Sequence, residues 1–360
     1  SKPIRSVLLG GVAAIGLAAL APPAQAQSLE ELRRQVQVLS QRIEQLESQQ
    51  RAGGGAAGGG AGLVESGEDT IRLSLSGQVN RGILYGDNGS DSEVFHVDND
   101  NSSTRIRFIG EGDLNDDITV GTQIEVQMES NSTADISFDQ ADAVGGTSFT
   151  ERKLELYFDS DTYGRLWVGQ GDTASNSTSE VDLSGTSVVG YSGIGDMAGG
   201  LEFGGLVRGG DPVQIKDLFS NLDGLSRDDR LRYDTPNFGG FTVSGSAVEN
   251  DEWDAALRFS GDVSGVRVAA AVAYADSNSF EQVNGSASVR LPSGFNATAA
   301  AGSRTPDAAG SPDPFFWYVK LGQQLDLFEI GGTALAVDYA AVSYTHLTLP
   351  TTLPRCRSRW

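Results

Sequence analysis

Across most of the chain, apolar and polar residues alternate with a period of two, and this pattern constrains the fold more than any other feature. In the stretch 71–85, IRLSLSGQVNRGILY, Leu73 and Leu75 alternate with Ser74 and Ser76. Successive side chains of a β-strand point to opposite faces of a sheet, so each run of this kind predicts a two-faced strand. Thirteen strands are predicted, at 71–85, 103–110, 118–128, 151–159, 163–170, 227–235, 240–248, 252–260, 264–275, 281–291, 294–303, 314–325 and 332–341.

The connections between these strands alternate in length. Short turns such as SDTYG and GDVSG alternate with longer polar connections, the longest of which covers 171–226. Tight turns at one end of a sheet and long loops at the other are typical of outer-membrane barrels. A soluble β-sandwich also alternates, but here charged residues occupy the polar face, and each strand has roughly the 10 residues needed to cross a bilayer at a tilt. The sequence therefore predicts an all-β, transmembrane antiparallel β-barrel.

The first 26 residues have the features of a secretory signal peptide. Lys2 and Arg5 precede an apolar run, and the small residues of AQA at 24–26 suit a signal peptidase. A short membrane anchor is the alternative interpretation, but the apolar run is short and is followed directly by this cleavage site. We therefore expect residues 1–26 to direct export and to be removed.

Residues 27–51 predict a short coiled-coil helix that promotes oligomerisation. Three heptads are too few for a stable coiled coil by themselves. A helix that packs on its own domain is the less favoured interpretation, because the glycine-rich stretch 52–70 follows as a flexible linker. The helix could also contact a periplasmic partner or the cell wall. The apolar residues at a and d spacing are Leu29, Leu32, Val36, Leu39, Ile43 and Leu46.

The last residues differ in composition from all that precede them. VSYTHLTLPT at 342–351 resembles a translated transposase adapter used in sequencing libraries, and CRSRW at 356–360 resembles the outer adapter. We therefore expect 342–360 to be non-native, and neither His346 nor Cys356 enters a functional argument.

Three motifs carry a resemblance to a known family. SSTRIRFIGEGDL at 102–114, RLWVGQGDT at 165–173 and DDRLRYDTPNFGGF at 228–241 resemble strands and a hairpin of the Gram-negative trimeric outer-membrane porins. The resemblance implies a sixteen-stranded barrel, of which 71–341 would supply about thirteen strands and be incomplete. It also implies a homotrimer inserted by the barrel assembly machinery into outer-membrane lipid and lipopolysaccharide, with its third loop folded inward.

The polar face and the long connection supply candidate pore residues. Arginines two positions apart share a strand face, and GLEFGG at 200–205 resembles the core of the porin constriction loop. Opposed rows of charge set ion selectivity in pores. Alternatively, the arginines only tie the loop to the wall through ion pairs. The wall candidates are Arg105, Arg107, Arg230 and Arg232, and the loop candidates within 171–226 are Glu180, Asp182, Asp196 and Glu202.

Composition narrows the function further. The formal net charge of -22 argues against nucleic-acid binding, which needs clustered Lys and Arg, and favours a mild preference for cations. His96, in an acidic loop, has no neighbouring nucleophile as a catalytic triad requires. DNDNSS at 98–103 lacks the glycine and glutamate of an EF-hand. The sequence thus predicts no catalytic site, no metal site and no cofactor. We expect a passive pore for small hydrophilic solutes and ions, with a structural barrel anchored through its coiled coil, or a barrel enzyme, as the alternatives.

Overall fold

The computed structural model describes residues 64–66, 71–142, 148–328 and 331–344. The predicted signal peptide at 1–26, the coiled-coil helix at 27–51 and most of the linker at 52–70 lie outside the described residues. So does the tail beyond residue 344.

Strands dominate the described chain. Numbered along the sequence they are β1 (Val64–Ser66), β2 (Ile71–Gln78), β3 (Arg81–Asp87), β4 (Ser92–Asp98), β5 (Arg105–Asp113), β6 (Ile118–Glu129), β7 (Ser148–Ser160), β8 (Gly164–Asp172), β9 (Glu202–Arg208), β10 (Asp211–Gln214), β11 (Arg227–Asp234), β12 (Phe241–Val248), β13 (Trp253–Val263), β14 (Val266–Ser277), β15 (Phe280–Arg290), β16 (Phe295–Pro306), β17 (Pro314–Phe328) and β18 (Gly331–Tyr344).

Fourteen of these strands form one antiparallel sheet. Its order is β1-β2-β5-β6-β7-β8-β11-β12-β13-β14-β15-β16-β17-β18, so each strand pairs with the next sheet strand along the chain. Each of the thirteen predicted strands has a counterpart in this sheet, and β1 adds a short strand inside the range predicted as linker. Within the described ranges β1 and β18 do not pair, so the sheet is open. The last strand continues three residues past the predicted boundary at 341.

The predicted first strand, 71–85, is wrong in one respect, because it is two elements. The chain leaves the sheet at Asn80, whose backbone N–H donates to Thr104 Oγ1 at 3.0 Å and whose side chain donates to Val188 O at 3.1 Å. Strand β3 then pairs with β4 in a separate hairpin. Alternation continues through both elements, so the sequence pattern could not reveal the change of partner.

Compared with a soluble protein, the sheet has its exposed and covered side chains reversed: many apolar side chains are exposed and many polar ones are covered. On β15, Val283 is 52% exposed, whereas its neighbours Gln282 and Asn284 are 1% and 2% exposed. On β17, Trp317 is exposed while Lys320, on the other face, is buried. On most strands, apolar side chains thus face outward from the sheet and polar side chains are covered. This is the reverse of the arrangement around an ordinary soluble core. Phe316 and Tyr318 of β17 are exceptions, because they are buried and pack against Leu222.

The covering element is the long connection between β8 and β11, residues 173–226. It contains two short helices, α1 (Ile194–Ala198) and α2 (Ile215–Leu218), and the hairpin β9–β10. Helices were not predicted here. Two 3-10 turns, Asp100–Ser102 and Glu249–Asp251, lie in other connections. No helix in the described part of the chain is long and apolar enough to cross a bilayer.

A small apolar cluster joins this connection to two others. We call it the loop core, and it packs side chains from the β3–β4 hairpin, from the connection after β6 and from 198–201. Asp98 strengthens the junction, because its carboxylate accepts hydrogen bonds from Thr104 Oγ1 at 2.8 Å and from Ser130 N at 2.9 Å. The buried members of the loop core are Phe95, Val97, Ile136, Ala198 and Leu201.

Candidate functional site

Three arginines on the polar face converge on one carboxylate. Arg107 Nε donates to Glu125 Oε2 at 2.6 Å, and Arg152 Nε donates to Glu125 Oε1 at 2.8 Å. Arg105 Nη1 lies 3.8 Å from Glu125 Oε1. Glu125 pairs opposite Arg107 in the β5–β6 register, which brings these groups together. We call Arg105, Arg107 and Arg152 the arginine cluster.

The other two predicted wall arginines lie on β11. Arg230 forms a buried ion pair with Glu155, and its Nε donates to Asp172 O at 2.9 Å. Arg232 pairs with Asp234 at 2.9 Å and donates to Thr173 O at 3.0 Å. Through backbone carbonyls, these two arginines hold the end of β8 and Thr173, the first residue of the long connection. Their carboxylate partners lie on the wall.

The predicted loop acids have different partners. Asp182 forms an ion pair with Lys320 of β17 at 2.9 Å, and both side chains are 2% exposed. Glu202 begins β9 and accepts a hydrogen bond from Phe138 N at 3.1 Å, beside the loop core. Among the described residues, neither Asp182 nor Glu202 forms an ion pair with a predicted wall arginine.

Glu180 and Asp196 lie inside the long connection, near a third acid, Asp223. Glu180 accepts from Asn221 Nδ2 at 2.9 Å, and Asp196 accepts from the hydroxyl of Tyr191 at 3.0 Å. Burial raises the pKa of Glu180 well above its usual range, and it raises the pKa of Asp196 to about 7 and that of Asp223 to about 6. Ordinary amides and hydroxyls satisfy these carboxyls, and no cation contacts them closely in the hydrogen bonds and ion pairs of the described chain.

The first half of the connection is held on the wall by neutral hydrogen bonds. Val181 N donates to Ser286 Oγ and Leu183 N donates to Ser288 Oγ, both at 2.9 Å. The two serines are two apart on β15, so they present hydroxyls at the spacing of a strand. Gln324 Nε2 donates to Leu183 O at 2.9 Å. The segment therefore runs extended across the polar face.

Three charged wall residues fix this segment, and the sequence analysis missed all of them. Arg258 on β13 donates from Nη2 to Ala174 O at 2.7 Å and to Asn176 O at 2.9 Å. Asp254 on β13 accepts from Ala174 N at 3.1 Å and from Ser175 N at 2.8 Å. Lys320 Nζ donates to Gly190 O at 2.7 Å in addition to its pair with Asp182. The sequence does contain a sign of Asp254 and Lys320. The motifs WDAAL and YVKLG each place one charged residue at a polar-face position of an otherwise apolar strand.

An antiparallel sheet with an apolar outer face, a charged inner face and a long segment laid on that inner face is characteristic of channel proteins of the bacterial outer membrane. The family model described as Gram-negative porin matches residues 12–348. The chain therefore belongs to the Gram-negative porin family, and its place is the bacterial outer membrane.

Solved porins are similar at low identity. An anion-selective porin from Comamonas acidovorans is 15% identical, with a TM-score of 0.49 over 76% of this chain and 80% of that one. OmpT of Vibrio cholerae is 13% identical, with a TM-score of 0.38 over 79% and 90% of the two chains. OmpF of Salmonella typhi is 13% identical, with a TM-score of 0.36 over 77% and 100%. These likenesses are too distant to carry a functional argument. A comparison with curated proteins gave no match.

Proposed function

We propose that this porin forms a water-filled channel through which small hydrophilic solutes and ions diffuse passively across the outer membrane. The observation that carries the proposal is the inverted sheet. Large apolar side chains such as Val283 and Trp317 are exposed on one face, while polar and charged side chains occupy the other. In a membrane barrel the apolar face contacts lipid and the polar face lines water, so this distribution is the one that a channel requires.

The proposal includes the sixteen-stranded barrel that the family resemblance implies, in which further strands complete the fourteen-stranded sheet and close it. Closure supplies every edge strand with a hydrogen-bonding partner, which a spanning sheet needs in hydrocarbon. We further propose a homotrimer that is inserted by the barrel assembly machinery and contacts membrane lipid and lipopolysaccharide. The signal peptide at 1–26 and the coiled coil at 27–51 belong to the same proposal.

Residues 173–226 are proposed to narrow this channel. Support comes from their contacts with the polar faces of β13, β15 and β17, through Asp254, Ser286, Ser288 and Lys320. A segment laid along the inner face occupies space that water would otherwise fill. It would therefore set the size limit for solutes.

Conductance across a planar bilayer tests the channel directly. The natural full-length porin added to a bilayer in potassium chloride should produce stepwise increases in current, and liposomes containing it should swell in small sugars but not in large ones. The heat-denatured protein is the control. A folded, membrane-inserted chain without stepwise conductance would contradict the proposed function.

The alternative is a structural barrel tethered through its coiled coil. Deletion of Ser28–Arg51 distinguishes the two, because a diffusion channel should conduct as before. A tether should lose its attachment to the cell envelope without any change in current.

A further inference from the structure

The turn at Asp100–Ser102 and the end of β6 bring several oxygen atoms without hydrogen-bond donors into one neighbourhood. In the described chain, four buried side-chain atoms lack a hydrogen-bond partner, and three of them are Asn101 Oδ1, Ser103 Oγ and Glu129 Oε1. The fourth belongs to Asn296 on β16. Buried polar atoms are nearly always partnered, so three such atoms in one neighbourhood point to a ligand that they bind.

The strand register places two of these atoms face to face. In the β5–β6 pair, Met128 N donates to Thr104 O at 2.9 Å. The residues that follow outward from this pair, Ser103 and Glu129, therefore lie opposite each other, with their Cβ atoms about 5 Å apart. The side chain of Ser103 is buried, with 1% of the residue exposed, so its hydroxyl faces the Glu129 side chain and not solvent.

Asp100 adds a second carboxyl group to this neighbourhood. It lies within hydrogen-bonding reach of the carboxyl group of Glu129. Its backbone N–H donates to Thr133 Oγ1 at 3.0 Å, which holds the turn in place. In the same turn Asn101 Nδ2 donates to Ser187 O at 2.8 Å, so its Oδ1 is the atom left to accept. Two carboxylates this close repel each other unless a proton or a cation lies between them.

The arginines of this region are engaged elsewhere. Their ion pairs are Arg81–Asp98, Arg152–Glu125 and Arg227–Asp172. Arg152 and Arg227 act on Asp100 only through longer-range electrostatics. Arg152 Nη1 donates to Gln127 Oε1 at 2.6 Å, and Gln127 Nε2 donates to Glu129 Oε2. Gln127 thus holds one oxygen of Glu129 and leaves Oε1 for a ligand.

We propose that Asp100, Asn101, Ser103 and Glu129 form a binding site for a calcium ion. Ca²⁺ takes about 6–8 oxygen ligands in a flexible geometry, from carboxylates, amide carbonyls and water, whereas Mg²⁺ requires a stricter octahedron. The described ranges contain no metal-binding group of three or more His, Cys, Asp or Glu residues, so this site depends on neutral oxygens as well.

This proposal is contrary to the expectation from the sequence, which was that the chain has no metal site. The motif DNDNSS at 98–103 does not fit an EF-hand, in which one loop supplies the ligands. Here the second carboxylate comes from β6, and the motif by itself could not show it.

A bound calcium ion would fasten the β3–β4 hairpin to the wall. The turn at Asp100–Ser102 follows β4 almost directly, whereas Glu129 ends β6. Asp98 already joins these two segments by accepting from Ser130 N at 2.9 Å, and the ion adds a second link. The site lies at the end of the sheet that carries the long connections, which is the extracellular end of an outer-membrane barrel. Calcium should therefore stabilise the outer loops, because it binds the folded state.

Calcium chloride tests the site on the natural full-length porin, refolded in detergent without lipopolysaccharide and treated first with a chelator. Lipopolysaccharide is left out because its phosphate groups bind calcium themselves. Isothermal titration should show saturable binding with a dissociation constant of about 10⁻⁴–10⁻³ M, as in extracellular calcium modules. The unfolding temperature should rise over the same range of calcium, and magnesium chloride should raise it less.

Glu129→Gln and Asp100→Asn each remove one carboxylate and keep the shape of the side chain. Each should abolish the rise in unfolding temperature with calcium. Without calcium, each should unfold at the temperature of the parent or above it, because the repulsion between the two acids is gone, and this result shows that the variants fold. The control is Asp91→Asn, at an exposed acid between β3 and β4, which should respond to calcium as the parent does.

A proton shared between the two acids is the competing explanation. In that case calcium would change neither the parent nor Glu129→Gln, and the calcium site would be overturned. An equal response to calcium in the parent, Glu129→Gln and Asp91→Asn would also overturn it, since the ion would then bind elsewhere. The proposed channel stands or falls separately, because neither titration nor unfolding depends on conductance.

Discussion

Two parts of the polar face differ in how many charged side chains they carry and in how those charges are partnered. On β5–β7, the arginine cluster surrounds the single buried carboxylate of Glu125, and of the three arginines Arg107 is the most exposed to water. On β13–β17, the face lies beneath the first half of the long connection and is mostly neutral, and Ser286 and Ser288 accept hydrogen bonds from its backbone N–H groups. Among the charges that do occur there, Asp254 and Lys320 are buried, and Arg258 donates to the backbone carbonyls of Ala174 and Asn176.

The difference follows from the cost of burial. A buried neutral polar group is stable when it has one hydrogen-bond partner, whereas a buried charge needs a counter-charge or several donors. Asp182 meets this need for Lys320, and the backbone N–H groups of Ala174 and Ser175 meet it for Asp254. A charge that stays partly hydrated, such as that of Arg107, has less need of a counter-charge of its own. The covered half of the polar face therefore positions the segment, whereas the β5–β7 half keeps a partly exposed cation.

The largest expected effect comes from breaking the buried ion pair of the covered half. Lys320→Met leaves the Asp182 carboxylate buried without a counter-charge, which costs about 3–5 kcal/mol. We expect the segment to detach, with a larger single-channel conductance and a lower unfolding temperature in detergent.

The double variant Lys320→Met/Asp182→Asn should recover most of the lost stability, since it removes both charges together. Arg72→Met is the matched control, because both side chains of the Arg72–Asp113 ion pair are exposed. Equal conductance in Lys320→Met and the parent would show that this pair does not hold the segment.

A smaller effect is expected at the start of the segment. Asp254→Asn keeps the shape of the side chain but removes the charge that accepts from two backbone N–H groups and one hydroxyl. Hydrogen bonds to charged groups are worth about 1.5–3 kcal/mol. Thermal unfolding should show a loss within this range. Asp262→Asn, at an exposed position of the same strand, should show almost none, and equal losses in both would contradict the assignment.

The smallest effect concerns pH. In the folded segment the pKa of Asp196 is about 7, against an ordinary value of 3.8. Between these two values, the folded segment retains a proton that the unfolded segment releases. The free energy of unfolding of the segment should therefore fall as pH rises, by about 1 kcal/mol between pH 6 and pH 8. Limited proteolysis should cut 173–226 faster at pH 8, and Asp196→Asn should reduce the difference. Greater resistance at pH 8 would contradict the assigned burial.

Alternation was sufficient to predict the sheet because most strands have one apolar face and one polar face, although β17 has Phe316 and Tyr318 on its inner face. It was insufficient at Asn80, where two strands of the same pattern meet and only side-chain hydrogen bonds redirect the chain. The short helices α1 and α2 also escaped prediction, since each has only four or five residues and lies in a segment without periodicity.

The site was less predictable than the fold, for a physical reason. Spacing placed Arg105 and Arg107 on one face, but it could not show that Glu125, across the β5–β6 pair, would be their partner. The acids of the long connection were expected to face the wall arginines as charges. Whether a loop carboxyl faces water or is enclosed depends on the path of the loop in the folded protein. For Glu180, that path places the carboxyl beside the side-chain amide of Asn221, which donates a hydrogen bond to it.

The central claim is that the apolar face meets lipid and the polar face encloses water. Spin labels on β2 test it most directly, placed singly on cysteines at Leu73, Ser74, Leu75 and Ser76 after Cys356→Ser. In reconstituted vesicles, labels at Leu73 and Leu75 should collide with lipid-dissolved oxygen, and labels at Ser74 and Ser76 with a water-soluble nickel chelate. Labels at Leu73 and Leu75 that are shielded from oxygen, or reached by nickel as readily as their neighbours, would contradict the account.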